Sequence, residues 1–271
     1  MERERPIAIS RVEQASKDAP GWIEGKELIL TAPGNNIIES SPIGKATLMS
    51  DRTGSEVTAK VRANRRRMGR AFFDRSPEVV ARQLLGKVLR HSYKGEWLSG
   101  RIVEVEAYLG LDDPASHTFI GQTERNRVLF GPAGVAYVYL VYGMYYCLNV
   151  SCLPAGEPGG VLFRAIEPLE GVKTMARLRG VPEASGASRI SGGPGRLCQA
   201  FGITRELHNG VDVTRRDSTL HVVDEGFHVS RVVVTPRIGI QKAADLPLRF
   251  LITSDHRAAD VKAKTQRTRA T

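Results

Sequence analysis

The chain has 271 residues, enough for one large domain or two small ones with a core that needs no disulfide staples. Its 39 Lys and Arg against 29 Asp and Glu leave a formal net charge of +10, while hydrophobic and charged fractions are those of an ordinary soluble globular protein. The charge favours an acidic partner and leaves DNA, RNA, the ribosome and an anionic membrane surface open; Cys147, Cys152 and Cys198, without CxxC spacing, exclude a disulfide framework and a zinc site, and no apolar run approaches the roughly 20 residues of a membrane helix.

The N-terminus, MERERPIAIS, lacks the apolar stretch of a signal peptide, so a cytoplasmic location, at the nucleoid if the source is bacterial, is expected. Residues 1–67 are polar, punctuated by Gly, Ser and Pro, and end in the basic run Arg62-Ala63-Asn64-Arg65-Arg66-Arg67. They read as a poorly ordered extension, the run being a solvated linker or a nonspecific DNA-binding arm. Met68, just before the first patterned segment, is a candidate start.

From Met68 the texture changes. Ser76-Pro77-Glu78-Val79 supplies an N-cap, a proline at the first helical position and an early acid; Val79, Val80, Leu84 and Leu85 follow at helical spacing until Gly86. Strands are predicted at 87–92, 98–109, 135–141, 145–150 and 160–166, with Tyr142-Gly143-Met144 as a tight hairpin turn. Helices are predicted over 168–179 and 195–202, and strands at 221–223, 231–234 and 248–253. Strands dominate and lie close in sequence. The expected fold is a mixed α/β single domain over 68–258, a curved, mostly antiparallel sheet with helices packed outside, followed by a frayed polar tail at 259–271.

Two segments carry chemistry. In Arg101–Gly110 the residues alternate, with Val103, Val105, Ala107 and Leu109 on one face and Ile102, Glu104, Glu106 and Tyr108 on the other. The second face is either a solvated sheet surface or a site in which a carboxylate beside an aromatic ring serves as a general acid or base. Glu104, Glu106, Asp112, Asp113 and His117 could also be read as metal ligands, although their spacing matches no tight motif. Five of the seven tyrosines fall between 137 and 146. Tyr137 and Tyr139 share a strand face, and Tyr142 stands at the turn, placed to project outward as aromatic wedges into base stacks do. Thr123-Glu124-Arg125-Asn126-Arg127 and the loop Ser191–Arg196 supply cations and glycine amides that could hold a phosphate, or are simply turns.

These pieces together resemble the alkyladenine (3-methyladenine) DNA glycosylase family of the mammalian type, from about Met68 to about Ser254. The strongest stretches are RIVEVEAYLG (101–110), SHT (116–118), TERNR (123–127), YVYLVYGMYYCLNVS (137–151), VLFRAIEPLEG (161–171), GPGRLCQAFGI (193–203) and RIGI (237–240). The resemblance implies that Glu106 activates a water, that Arg164 and the carbonyl of Ile238 help hold it, and that Tyr108 stacks on one face of a flipped base with His117 and Tyr139 on the other. It further implies that Tyr142 fills the gap left in the duplex and that Asn149 crowds the exocyclic amino group of normal guanine. Arg125, Arg127, Gly195 and Arg196 are the expected backbone contacts.

The implied activity is monofunctional hydrolysis of the N-glycosidic bond of alkylated or deaminated purines, by a monomer acting on duplex DNA without cofactor, metal or membrane. A noncatalytic DNA-binding module and a metal-dependent nuclease using the acidic cluster are the alternatives.

Overall fold

The computed structural model describes residues 65–252. Expectations for 1–64, including the first half of the basic run, and for the tail at 259–271 lie outside the described residues. Arg65–Arg67, assigned by sequence to the extension, lie inside them. Arg66–Arg67 form β1, and Arg65 pairs with Glu170 at 2.9 Å.

The helix after β1 and a short α1 (Arg70–Phe73) is α2 (Pro77–Leu84). Ser76 Oγ accepts from the Val79 amide, Pro77 occupies the first turn, and Pro77, Val80, Ala81 and Leu84 face the core. Val79 is exposed. The strands are β2 (Val88–Tyr93), β3 (Glu96–Tyr108), β4 (Ala136–Val141), β5 (Tyr145–Ser151), β6 (Gly160–Glu170), β7 (Leu220–Asp224), β8 (Val232–Thr235) and β9 (Arg249–Ile252). Among the described residues they form one sheet, all pairs antiparallel, in the order β1-β7-β2-β3-β6-β5-β4. β9 joins β3 along the edge that β2 leaves free, and β8 pairs with β9. Helices α3 (Val172–Arg179), α4 (Ala187–Ser191) and α5 (Pro194–Ala200) pack on one another and against β5 and β6, and α6 (Arg205–His208) packs on β4. This is the expected mixed α/β domain with a curled antiparallel sheet.

Two expectations need correction. Residues 168–170 do not open a helix; they prolong β6 beside β3, with Gly100 opposite Pro168 and Ser99 opposite Glu170. The helix starts only after Gly171, whose φ of 73° is left-handed; a Cβ there would come within 2.9 Å of the Trp97 carbonyl oxygen. The alternation read in β3 also breaks. Its register with β6 shifts between Ile102 and Glu104, so Ile102 is buried along with Val103 and Val105. Both faces of the strand are covered.

The main core joins Phe73, Val80, Leu84, Leu98, Ile102, Phe163, Phe201 and Phe250, each worth roughly 1.5–3 kcal/mol of transfer free energy. The three cysteines are buried and unpaired, as expected of core thiols.

Candidate active site

One row of paired residues crosses five strands. Tyr137 on β4 lies opposite Asn149 on β5, Asn149 opposite Leu162 on β6, Leu162 opposite Glu106 on β3, and Glu106 opposite Arg249 on β9. Directly paired residues of antiparallel strands project to the same face, so the sheet brings together side chains from as far apart in sequence as Glu106 and Arg249. The neighbouring row adds Tyr108 opposite Gly160. A second irregularity, between Glu104 and Val105, leaves Arg164 of β6 without a cross-strand partner. Such a bulge re-aims a side chain, and here the guanidinium bridges two carboxylates, its Nε donating to Glu104 at 2.8 Å while Nη1 lies 3.1 Å from Glu106.

Above this floor is a cavity of about 610 Å³, lined among others by Tyr108, His117, Tyr139, Asn149, Arg164 and Ile238. A volume of this order fits a small-molecule-sized group such as a nucleobase. Glu106 is 0% exposed and lies beneath the lining. Oε1 accepts from the Ile238 amide at 2.8 Å, and Oε2 accepts from the Tyr108 hydroxyl at 3.0 Å. Burial, with the Glu106 charge next, pushes the Tyr108 hydroxyl well up, so it stays protonated and donates. Burial works to lower the Arg164 pKa, but Glu106 and Glu104 together more than offset it and leave the guanidinium above its ordinary value. Glu104 also accepts from Arg249 at 3.2 Å. Glu104 and Glu106 are thus matched by two arginines, the half-buried Arg164 and the buried Arg249.

The far wall is aromatic. The rings of His117 and Tyr139 meet edge-on at 4.5 Å, Tyr137 lies 5.3 Å from Tyr139, and the Tyr137 hydroxyl is 3.0 Å from His117 Nδ1. His117 is exposed at the mouth, yet burial of its ring, with the Arg125 charge second, lowers its pKa and keeps the imidazole neutral at pH 7. Asn149 is buried and donates to the Tyr137 carbonyl. At the hairpin tip Tyr142 is 84% exposed and held at φ 53°, followed by Gly143 at φ 70°. A non-glycine residue in left-handed backbone at a fully projecting tip is a strained feature of the kind found at functional sites.

Arg125 is exposed, lines the cavity and lies over Tyr139 at 5.6 Å. Arg127 is paired with Glu124 at 3.2 Å. Arg196 is exposed, with Nη1 donating to the Ser188 carbonyl. Gly195 has a packing reason to be glycine, since a Cβ there would stand 3.0 Å from Tyr145. Of the residues read as a metal cluster, Glu104 and Glu106 face Arg164, Asp113 is bound by Arg237, and Asp112 is exposed. Sequence reasoning assigned no site role to Tyr137, Leu162, Arg237 or Arg249, although all but Arg249 stand in the stretches that carry the resemblance.

A model of the methylpurine-DNA glycosylase family matches residues 71–256. The chain is 55% identical over 183 residues to a protein of Koribacter versatilis named as a 3-methyladenine DNA glycosylase, the match covering 68% of this chain and 88% of the relative. It is 42% identical over 195 residues to one of the same name from Alkaliphilus oremlandii (69% and 95% covered), and 47% over 180 residues to one from Methanocella arvoryzae (66% and 88%). These relatives are bacterial and archaeal, so they carry the family and not its mammalian type.

Proposed function

The chain belongs to the methylpurine-DNA glycosylase family and is a DNA glycosylase of base excision repair, and on that premise we propose that it receives an alkylated or deaminated purine, flipped from duplex DNA, in the cavity between Tyr108 and the His117–Tyr139 wall. The observation that carries this reading is the carboxylate of Glu106, buried among three donors directly under an aromatic pocket. A flipped base has two π-faces to satisfy, and rings on both sides do so without reading its edge. Alkylation at N3 or N7 makes the purine cationic, which favours electron-rich rings and makes it a good leaving group.

In the proposed step a water oxygen bonds to C1′ of the deoxyribose, the C1′–N bond breaks with its electron pair leaving on the purine, and Glu106 takes the water's proton. Arg164 and the Ile238 carbonyl orient that water, so the contribution is positioning and proton transfer. Tyr142 fills the emptied stack. Asn149, on the cavity floor, opposes the amino group of guanine. Arg125, Arg127, Arg196 and the Gly195 amide hold the backbone, which the net charge of +10 supports as a counterion-releasing surface. On this reading the repair domain spans about 68–258, acts as a monomer in the cytoplasm at the nucleoid, and leaves an intact strand with an abasic site.

The test is release of free methylpurine from methylated duplex in the presence of EDTA. Release with the strand uncut is expected; strand scission, or loss of release on chelation, would overturn the metal-free hydrolysis. Binding without release would leave only a DNA-binding module.

A further inference from the structure

We infer that the buried pair Asp113–Arg237 is a positioning unit for Glu106, joining the two loops that complete the site; this rests on the role proposed above for Glu106. Both side chains are 0% exposed. Arg237 grips the Asp113 carboxylate with two nitrogens, Nη1 to Oδ2 at 2.5 Å and Nη2 to Oδ1 at 2.8 Å, the planar fork geometry that a lysine cannot reproduce.

Each partner also ties down its own surroundings. Asp113 accepts from the amides of Leu109 and Ala115, both at 3.1 Å, closing the turn that leads from Tyr108 to His117. Arg237 Nη1 donates to the carbonyl of Ala107 at 3.0 Å, at the end of β3, and Nη2 donates to the carbonyl of Ala243 at 3.4 Å, across its own loop. Its guanidinium also lies 4.7 Å over the Tyr108 ring. One guanidinium therefore holds the end of β3, the loop carrying His117 and the loop carrying Ile238.

The consequence falls on Glu106. Of the three groups that hold its carboxylate, the Ile238 amide is the residue next to Arg237, and the Tyr108 hydroxyl belongs to the ring against which Arg237 packs. Only Arg164 reaches Glu106 independently, from β6. Without the pair, two of the three donors lose their fixed positions. The carboxylate would remain but would no longer be aimed, and displacements of about 1 Å from the reacting geometry cost on the order of 100-fold in rate.

The experiment compares Arg237→Lys, Asp113→Asn and their combination in single-turnover release of methylpurine from methylated duplex, alongside affinity for a duplex holding a reduced abasic site. The expected result is a fall in the saturating rate of roughly 10- to 100-fold in each single variant, with abasic-site affinity and half-saturating concentration within about threefold. The double variant should fall no further than the worse single, as residues acting as one unit do. A merely structural role would move affinity and rate together. The inference is overturned if either folded single variant keeps its rate, if DNA affinity falls by the same factor, if the two effects multiply, or if both single variants fail to fold. Glu106→Gln in parallel separates the two readings. Retained release there sinks the role of Glu106 itself, whereas its loss beside unimpaired Arg237→Lys sinks only the positioning pair.

Discussion

The backbone amide of Ile238 donates to Oε1 of Glu106 at 2.8 Å across 132 residues of chain. The resemblance gives Ile238 a role through its carbonyl; the structure adds one through its N–H, as a fixed donor to the carboxylate itself. Its isosteric replacement is the direct test. Glu106→Gln keeps the volume and one acceptor oxygen but cannot take a proton, so excision should fall by about 100- to 10,000-fold, the span of general-base contributions. Affinity for abasic-site duplex should stay within a few-fold. Single-turnover release together with titration of that duplex measures both, and release at the parental rate would remove Glu106 from the chemistry.

Arg164 is shared between Glu104 and Glu106 through two different nitrogens. Arg164→Lys keeps the charge but replaces two separated donor nitrogens with one, so each carboxylate no longer meets a nitrogen of its own. One buried acid is then poorly compensated, at a cost of about 1–3 kcal/mol, or roughly 2–12 °C in melting temperature for a domain of this size. Excision should fall at least tenfold. Calorimetry and the release assay check the two limbs; an unchanged melting temperature would mean that the bridge contributes no stability.

The strands were legible because their alternation and turn residues are local signals, and so was Tyr142, an aromatic beside glycine between two strands. The carboxylate strand was legible as a candidate but not in its surroundings. The bulge at Val103 and the arrival of β9 alongside Glu104–Glu106 bury the face that alternation left open, and no local pattern reports either. Pro168 misled for a related reason. A proline with an acid two residues later imitates a helix start, and only the β3 ladder, formed some 70 residues away, holds it in a strand. Asp113 and Arg237 lie 124 positions apart. Asp113 thus read as one more acid in a cluster, because a carboxylate's partner is fixed by the fold.

Tyr142 buries almost none of its ring in the free protein, so its removal should leave folding untouched and act on DNA. Tyr142→Ala also takes a branchless residue into the same left-handed backbone, with φ 53°. Losing one stacking contact of about 1–3 kcal/mol should weaken binding to a damaged duplex by roughly 5- to 150-fold. A fluorescent base analogue at the lesion site should brighten less on binding, because the emptied stack is no longer filled. Unchanged affinity and fluorescence would sink the wedge assignment.

A second buried polar cluster, outside the cavity lining, bears on stability rather than catalysis. His91 and His208 are both buried, with Nε2 atoms 3.0 Å apart; His91 Nδ1 is 2.7 Å from the Phe201 carbonyl, and both the amide and the carbonyl of Thr204 lie 3.1 Å from His208 Nδ1. A carbonyl can only accept, so His91 carries its proton on Nδ1 and its Nε2 accepts from His208. The His91 ring is then neutral, since a second proton, on its Nε2, would set N–H against N–H. Burial, the leading cause, lowers His91 to about 4, and lowers His221 likewise to about 4 with the Arg67 and Arg90 charges assisting. These folded values lie below the unfolded value of about 6.5, so the unfolded chain binds more protons between the two. The stability these residues contribute is therefore complete above about pH 6.5 and is lost as the pH falls toward 4. Melting temperature measured from pH 8 to pH 4 should hold steady and then drop through that window, and His91→Gln should flatten the drop while lowering the plateau. A wild-type curve level down to pH 4 would show that these imidazoles do not govern the acid limit.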